Sequence, residues 1–306
     1  MNIAVLGCGG VGGYYGGRLA KHYSKDPNVK ISFIARGKHL EAIRAHGLKV
    51  ITPTEEFIAF PEIATDNASS LGVVDVLLVC VKTYDIVSSI QQIRSNVGNE
   101  TVIIPLVNGI EPFEMLKKEF PSSRVFQGCC YLNSFVESPG VIKFRGGFEQ
   151  AQIGFPDDQL REKISSLLAA SGIDIYSAPE ISEKVWEKFL FVSVLSGIGS
   201  LKNESFGDIV ASAERMQLAR EMMNELLLIA IAKGIKLPDT IVDMHLSKLP
   251  AYPKEARTSM QRDFTEGKRT EIETAIGYVI RCAKELKMDV PTYERVYSEL
   301  NSGLAR

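Results

Sequence analysis

The chain is poor in the features that would place it in a specialised class. Its 306 residues hold five cysteines, Cys8, Cys80, Cys129, Cys130 and Cys282, with no C-x-x-C pair and no metal-ligand spacing. A disulfide scaffold and the usual zinc patterns are thereby excluded, and an odd, scattered set fits reduced thiols in the cytoplasm. Cys129-Cys130 reads as a pair of small core residues on a strand, with a redox pair as the alternative. Charge of one sign is also missing. Thirty-five basic residues against 37 acidic ones leave a formal net charge of -2, which gives no reason to expect nucleic acid or an anionic membrane as partner. The apolar run Leu226 to Ala232 is too short to span a bilayer. Met1 opens directly on a core strand, so no signal peptide is expected. There is no internal repeat and no low-complexity tract. The four histidines, His22, His39, His46 and His245, are few and poorly placed for proton transfer, since none follows a central strand or faces a recognisable acidic partner.

What is present begins at the first residue. Met1 to Leu6 reads as a short buried strand, followed at once by Gly7-Cys8-Gly9-Gly10-Val11-Gly12-Gly13 and an amphipathic helical segment, Tyr14 to Tyr23. Strand, glycine turn and helix give the G-x-G-x-x-G spacing of Gly7, Gly9 and Gly12 its meaning. Gly7 permits the tight turn, Gly9 lets the backbone approach a pyrophosphate, and Gly12 lets the helix lie close to the strand. The loop from Gly7 through Gly9, Gly10, Val11 and Gly12 is therefore the expected dinucleotide cradle, with the helix N-terminus offering N–H groups to the phosphates. The second strand, Val29 to Ala35, ends in Arg36-Gly37-Lys38-His39. An NAD site usually carries Asp or Glu there for the ribose 2′-OH. A guanidinium suits a 2′-phosphate instead, and Lys38 lies close by, so the cofactor reads as NADP(H). An ordinary solvated arginine at a strand end is the alternative.

Length, 45% hydrophobic and 24% charged residues are ordinary for a globular chain of two domains. The first half alternates strands and helices. Val73 to Val81 is a nearly continuous apolar run, as a parallel strand covered on both faces should be. Asp85 to Arg94 reads as helix and Thr101 to Val107 as strand. Arg124 to Phe135, Gly140 to Arg145 and Gln150 to Gly154 read as further strands, whose closer spacing suggests antiparallel pairing at the far edge of the sheet. Asp157 to Ser171 is helical and Ile173 to Tyr176 a last strand. From Pro179 the pattern is helix throughout: Glu180 to Gly197, Glu204 to Lys233, Lys254 to Glu266, Thr270 to Lys287 and a final helix after Pro291. Thr270 and Glu273 have capping-box spacing, and Gly234 and Pro238 close the long helix. The expected fold is a Rossmann-like, doubly wound α/β dinucleotide-binding domain over residues 1–178, followed by an all-α substrate and catalytic domain over residues 179–306. A cleft between the two halves is the natural ligand site.

Ligands of doubly wound sheets sit beyond the carboxyl ends of the strands, which selects Lys82, immediately after Val73 to Val81, and Asn108-Gly109, after Thr101 to Val107. A solvated lysine and an ordinary Asn-Gly turn suit the same positions. Reduction of a carbonyl needs a proton donor at the developing alkoxide. Lys188, inside Trp186-Glu187-Lys188-Phe189-Leu190-Phe191, is the better candidate than any histidine, with a lysine snorkelling from the helix surface as the alternative.

The glycine loop, Ala35-Arg36-Gly37-x-His39-Leu40, Val81-Lys82, Asn108-Gly109, Trp186-x-Lys188 and Ser259-Met260-x-x-Asp263 with Thr270-Glu271-Ile272 occur in this order. Together they resemble the ketopantoate reductase (2-dehydropantoate 2-reductase) family along essentially the whole chain. The glycine loop is generic to many dehydrogenases, whereas the lysine helix combined with the Ser…Thr-Glu-Ile segment is specific. The resemblance implies that Arg36 holds the NADP 2′-phosphate, Lys82 organises the crevice, and Asn108 contacts the nicotinamide side and the substrate. It makes Lys188 the general acid. Glu271 would hold the substrate hydroxyl or the lysine, and Ser259 would bind the carboxylate. The implied reaction is NADPH-dependent reduction of 2-dehydropantoate to pantoate, toward pantothenate and coenzyme A. Glu271 also falls in the first turn of a helix, where the dipole favours a carboxylate without any functional demand.

One departure bears on the substrate. The family's asparagines four and eight residues after the lysine are replaced here by Val192 and Ser196. Valine offers no side-chain hydrogen bond, and serine has a shorter reach than an amide. Ser196, or Asn203 just beyond the helix, is the candidate replacement. Reduction of another branched 2-oxo acid is thus a second reading, and a non-catalytic NADP(H)-binding sensor a third, which the retention of Lys188 with Glu271 disfavours. The expected partner is a small 2-oxo acid, and the helical half is the part able to supply a homodimer interface.

Overall fold

The computed structural model describes residues 1–303. The chain divides into two compact units, one made of Met1–Val107 with Pro112–Ile181, the other of Asn108–Glu111 with Ser182 onward.

The first unit is built on a six-stranded parallel sheet. Its spatial order is Ile63–Thr65, Lys30–Ile34, Asn2–Leu6, Val76–Val79, Val102–Pro105, Arg124–Val125. Alternation along Asn2–Leu6 sends Ile3 and Val5 into one core with Tyr14, Tyr15 and Leu19 of helix Gly10–His22. Ala4 and Leu6 enter a second core with Ile86, Ile90 and Ile93 of helix Ile86–Ile93. Covered on both faces, Val76–Val79 and Val102–Pro105 are buried at every residue, which is why their sequence is apolar without alternation. The order of connection reverses between Asn2–Leu6 and Val76–Val79. Loops leaving those two strands therefore flank the switch point at which such sheets take ligands.

Two smaller sheets complete this unit and differ from the expected edge extension. The segment that reads as one strand, Arg124 to Phe135, is three strands in three sheets: Arg124–Val125 at the edge of the large sheet, Gly128–Tyr131, and Ser134–Ser138. The antiparallel pairing is present, but between Gly128–Tyr131 and Gln150–Gly154, and between Ser134–Ser138 and Val141–Phe144, away from the large sheet. A hairpin that the strand pattern does not mark, Leu48–Ile51 with Glu56–Ala59, joins the latter pair. Ile175–Ala178 lies parallel to Gln150–Gly154. Helix Asp158–Ala170 is started by the Asp157 carboxylate, which accepts from the Leu160 N–H at 2.7 Å.

The second unit is helical. Beyond its charged first two turns, Ser182–Leu201 is mostly apolar and mostly buried, packed by Ala213–Ala232, Ser259–Thr265 and Pro291–Asn301. The long stretch Glu204 to Lys233 is two helices, Phe206–Ala211 and Ala213–Ala232, because Ser212 leaves helical geometry and caps the second through Arg215 N–H. Lys254 to Glu266 shortens to Ser259–Thr265, capped by Thr258. Helix Ile241–Lys248 has no counterpart in the sequence pattern. The stretch expected to start at the Thr270 box opens as a π-turn, Glu273–Gly277, running into α-helix Tyr278–Leu286. The Glu273 carboxylate accepts from Tyr297 and Arg281 instead of closing back on Thr270. Among the described residues no helix is long and apolar enough to cross a membrane, and all five cysteines are free thiols.

The π-turn is also tied to the lysine-bearing helix by a side-chain hydrogen bond to one of its carbonyls. Ser193 Oγ, fully buried, donates to the Ala275 carbonyl at 2.7 Å and shares a 2.9 Å hydrogen bond with the Tyr293 hydroxyl. Removing the Ser193 hydroxyl takes one hydrogen bond from each of two groups, the Ala275 carbonyl and the buried Tyr293 hydroxyl. Ser193→Ala is expected to destabilise the protein by about 1–3 kcal/mol, read as a lower urea midpoint, with the m-value unchanged.

Candidate active site

The loop after strand Asn2–Leu6 has the backbone that its glycines predict. Gly7 has φ +89°, the left-handed region that favours glycine. A Cβ on Gly12 would stand 2.0 Å from the Gly7 carbonyl oxygen, so only glycine lets helix Gly10–His22 start so close to the strand. At Gly9 an added Cβ would meet nothing within 4 Å. The backbone there faces open space, and the helix has neither a capping side chain nor an acidic residue in its first turn. Those residues fit a pyrophosphate, whose charge the helix end favours.

Around this loop the first unit gathers three further groups. Val81-Lys82 runs past Gly7, with Val81 Cγ1 2.7 Å from where a Gly7 Cβ would lie, and Lys82 is half-buried at the head of a short 3-10 turn. Arg36, at the end of Lys30–Ile34, is 79% exposed and donates from Nη2 to Asp85 Oδ2 at 2.5 Å. His39, poorly suited to proton donation, braces the loop. The Gly140 N–H donates to Nδ1 at 3.0 Å, so the ring proton sits on Nε2, which donates to the Cys8 carbonyl at 2.8 Å. The imidazole ties the glycine loop to the turn before Val141–Phe144.

The remaining candidates lie together in the second unit. A pocket of about 320 Å³ is lined by the polar groups of Asn108, Ser196, Ser259, Glu271 and Thr274. Phe189, Val192, Met260 and Ala275 close its apolar side. Lys188 is 8% exposed, and its Nζ donates to Asn108 Oδ1 at 3.0 Å. Lys188, Val192 and Ser196 follow at intervals of four along helix Ser182–Leu201 and share one face. Glu271, 9% exposed, has its carbonyl bound by the N–H groups of Thr274 and Ala275, just ahead of the π-turn. Thr274 is an addition to the expected set. The i, i+3 spacing from Glu271 is the signal that places it on the same face.

Asn203 is not in the pocket. It takes up the left-handed conformation, φ 54°, beyond the lysine helix, and its Oδ1 accepts from Arg257 Nη1 at 2.6 Å and from Gln261 and Thr265 at 3.1 Å. It fastens helix Ser259–Thr265, which carries Ser259, to the end of the lysine helix. Ser196 alone remains of the two suggested replacements for the missing amide.

Two family models cover the chain: Ketopantoate reductase PanE/ApbA over residues 3–158, and the C-terminal model of the same family over residues 180–303. The chain belongs to the ketopantoate reductase family. It is accordingly an oxidoreductase acting on 2-oxo acids. It is 27% identical over 303 residues to the uncharacterized oxidoreductase YkpB of Bacillus subtilis (strain 168), covering 98% of each chain. It is 27% identical over 319 residues to the 2-dehydropantoate 2-reductase of Mesorhizobium japonicum, covering 97% of this chain and 95% of that one. The crystal structure of 2-dehydropantoate 2-reductase from Porphyromonas gingivalis W83 superposes with a TM-score of 0.86 at 34% identity, covering 98% and 99% of the two chains.

Burial lowers the pKa of His39, the Cys8 hydrogen bond opposing this only in part. The neutral ring holds the loop, because a protonated Nδ1 can no longer accept from Gly140. With the folded value below the unfolded one, its contribution is complete above about pH 6.5 and is lost as the pH falls through the folded value. His39→Ala is expected to cost about 1–3 kcal/mol at pH 7.5. In urea unfolding between pH 7.5 and 5 the wild type should lose more stability than the variant, and parallel losses would reject this role.

Proposed function

We propose that this enzyme reduces 2-dehydropantoate to pantoate with NADPH, a step toward pantothenate and coenzyme A. The observation that carries the reading is the Lys188–Asn108 hydrogen bond beside a pocket that also gathers Glu271, Ser259 and Ser196. Bound reduced nicotinamide would supply the hydride to the keto carbon. Gly7, Gly9, Gly10, Val11 and Gly12 would cradle its pyrophosphate, Arg36 its 2′-phosphate, and Lys82 would line the approach. Asn108 would hold the Lys188 ammonium toward the keto oxygen, where it donates the proton that the alkoxide needs. Glu271 would accept from the substrate hydroxyl or from the lysine, and Ser259 would donate to the carboxylate. Ser196 offers the hydroxyl in place of a family asparagine.

Val192 favours a second reading. It puts a methyl-bearing wall where an amide would meet the 4-hydroxyl, beside Phe189, Met260 and Ala275. A branched 2-oxo acid without that hydroxyl would leave no polar group unmatched there.

The experiment is NADPH oxidation with ketopantoate and with straight-chain and branched 2-oxo acids. Ketopantoate should give the highest kcat/KM; a clear preference for an acid lacking the 4-hydroxyl selects the second reading, and no turnover with any of them leaves only an NADP(H)-binding sensor. Lys188→Ala should lower kcat by about 10²–10⁴-fold with NADPH affinity near wild type. Near-wild-type turnover would place the proton donor elsewhere.

The cofactor assignment has its own test. Arg36→Ala should weaken NADPH binding by about 1.5–3 kcal/mol, the size of a lost charge-assisted hydrogen bond, and NADH binding far less. Equal losses for both dinucleotides in calorimetry would reject a 2′-phosphate contact at Arg36.

A further inference from the structure

Arg36 is not waiting alone for a phosphate. Its guanidinium is paired with Asp85, whose side chain is only 18% exposed while that of Arg36 is 79% exposed. The two residues come from the loops after Lys30–Ile34 and Val76–Val79, the strands on either side of Asn2–Leu6. The ion pair therefore links the two loops that flank the strand carrying the glycine turn. Asp85 stands immediately before helix Ile86–Ile93 and makes no side-chain capping bond to it. Two sequence features sharpen the point. The second strand ends without the carboxylate that accepts from a ribose 2′-OH in NAD sites, and Asp85 brings a carboxylate to the same guanidinium from the neighbouring loop.

The consequences for the two dinucleotides are opposite. A 2′-phosphate bound at Arg36 must share or displace an existing anionic partner and lies within a few ångströms of a second negative charge, a repulsive element of the kind that sets specificity. A ribose 2′-OH carries no charge and can donate to a carboxylate. Resting on the placement of the dinucleotide proposed above, we propose that Asp85 is the cofactor-specificity residue of this enzyme. Its carboxylate restrains the preference that Arg36 creates, so that the site takes NADH as well as NADPH.

Calorimetric titration of the full-length protein with NADPH and with NADH tests this without relying on turnover. The wild type is expected to bind the two within about tenfold of each other. Asp85→Asn should raise the NADPH-to-NADH affinity ratio by on the order of tenfold, mainly by tightening NADPH. Asp85→Ser, which keeps a residue suited to a helix start, should shift the ratio in the same direction. A wild-type preference for NADPH above about a hundredfold would overturn the proposal, as would a ratio that stays fixed or falls in the variants, where Asp85 would be an orienting partner of Arg36. Failure of the wild type to bind either dinucleotide would overturn the placement of the cofactor and this inference with it. Tight NADPH binding with an unresponsive ratio would overturn the inference alone.

Discussion

A lysine buried at the start of a long, mostly apolar helix depends on the protein for its hydrogen bonds, and much of the helical unit is arranged around that demand. Lys188 is only 8% exposed, and an unpartnered buried charge is among the costliest features a fold can carry. The partner comes from outside the helical sequence. Asn108–Glu111 lies between a strand and a helix of the α/β half in chain order, yet it belongs to the helical unit. Asn108 reaches Lys188 from this short segment, and Glu111 accepts both of its bonds from Arg281 Nη2 at 2.8 Å, on the helix that follows the π-turn. The graft is thus held at both ends by charge-assisted hydrogen bonds. A buried lysine and the amide that accepts from it are fixed on rigid elements, as the proton-donor role proposed for Lys188 would require.

The π-turn is the second element of that arrangement. Glu273–Gly277 is wound as a π-turn, and the Ala275 carbonyl within it accepts from the Ser193 hydroxyl. Five residues after Lys188 on the same helix, Ser193 therefore ties the pocket's Glu271–Ala275 wall to the helix that supplies Val192 and Ser196. Asn203 does the equivalent work for Ser259 through three donors converging on one amide oxygen. Neither Ser193 nor Asn203 lines the pocket. Their polar bonds set the distances among the groups that do.

Much of this is legible in the sequence where the signal is local. The glycine loop reads correctly because strand, turn and helix are consecutive, and Gly7 and Gly12 fail sterically as anything else. The run Val73 to Val81 reads correctly as a strand covered on both faces only over its middle, Val76–Val79; Val73 is exposed. Sheet membership is not local. Arg124 to Phe135 has one continuous strand-like composition, but its three parts pair with Val102–Pro105, Gln150–Gly154 and Val141–Phe144, partners that no pattern within the segment specifies. Helix length is misjudged at Ser212 for a related reason: periodicity runs through the serine unchanged, while the backbone breaks so that its hydroxyl can cap helix Ala213–Ala232. Proximity in sequence puts Asn203 near the substrate, and the left-handed turn there directs it to helix Ser259–Thr265 instead. The π-turn itself leaves no mark in composition.

The same geometry bounds how selective the pocket can be. On the reading proposed above, its polar groups would meet the reacting carbonyl and carboxylate, and these atoms are common to every 2-oxo acid. Discrimination would then have to come from the rest of the wall, where Phe189, Val192, Met260 and Ala275 line the pocket. An apolar surface separates substrates differing by a methylene by only about 10–200-fold, and rejects an added hydroxyl weakly, whereas a wall that must hydrogen-bond a hydroxyl rejects the analogue lacking it by about 10⁴-fold or more. Replacing an amide by Val192 moves this site from the second regime toward the first. Ser196 and Thr274 are then the two hydroxyls left to distinguish one branched 2-oxo acid from another, and the steepness of the enzyme's substrate preference measures how well those two short side chains reach.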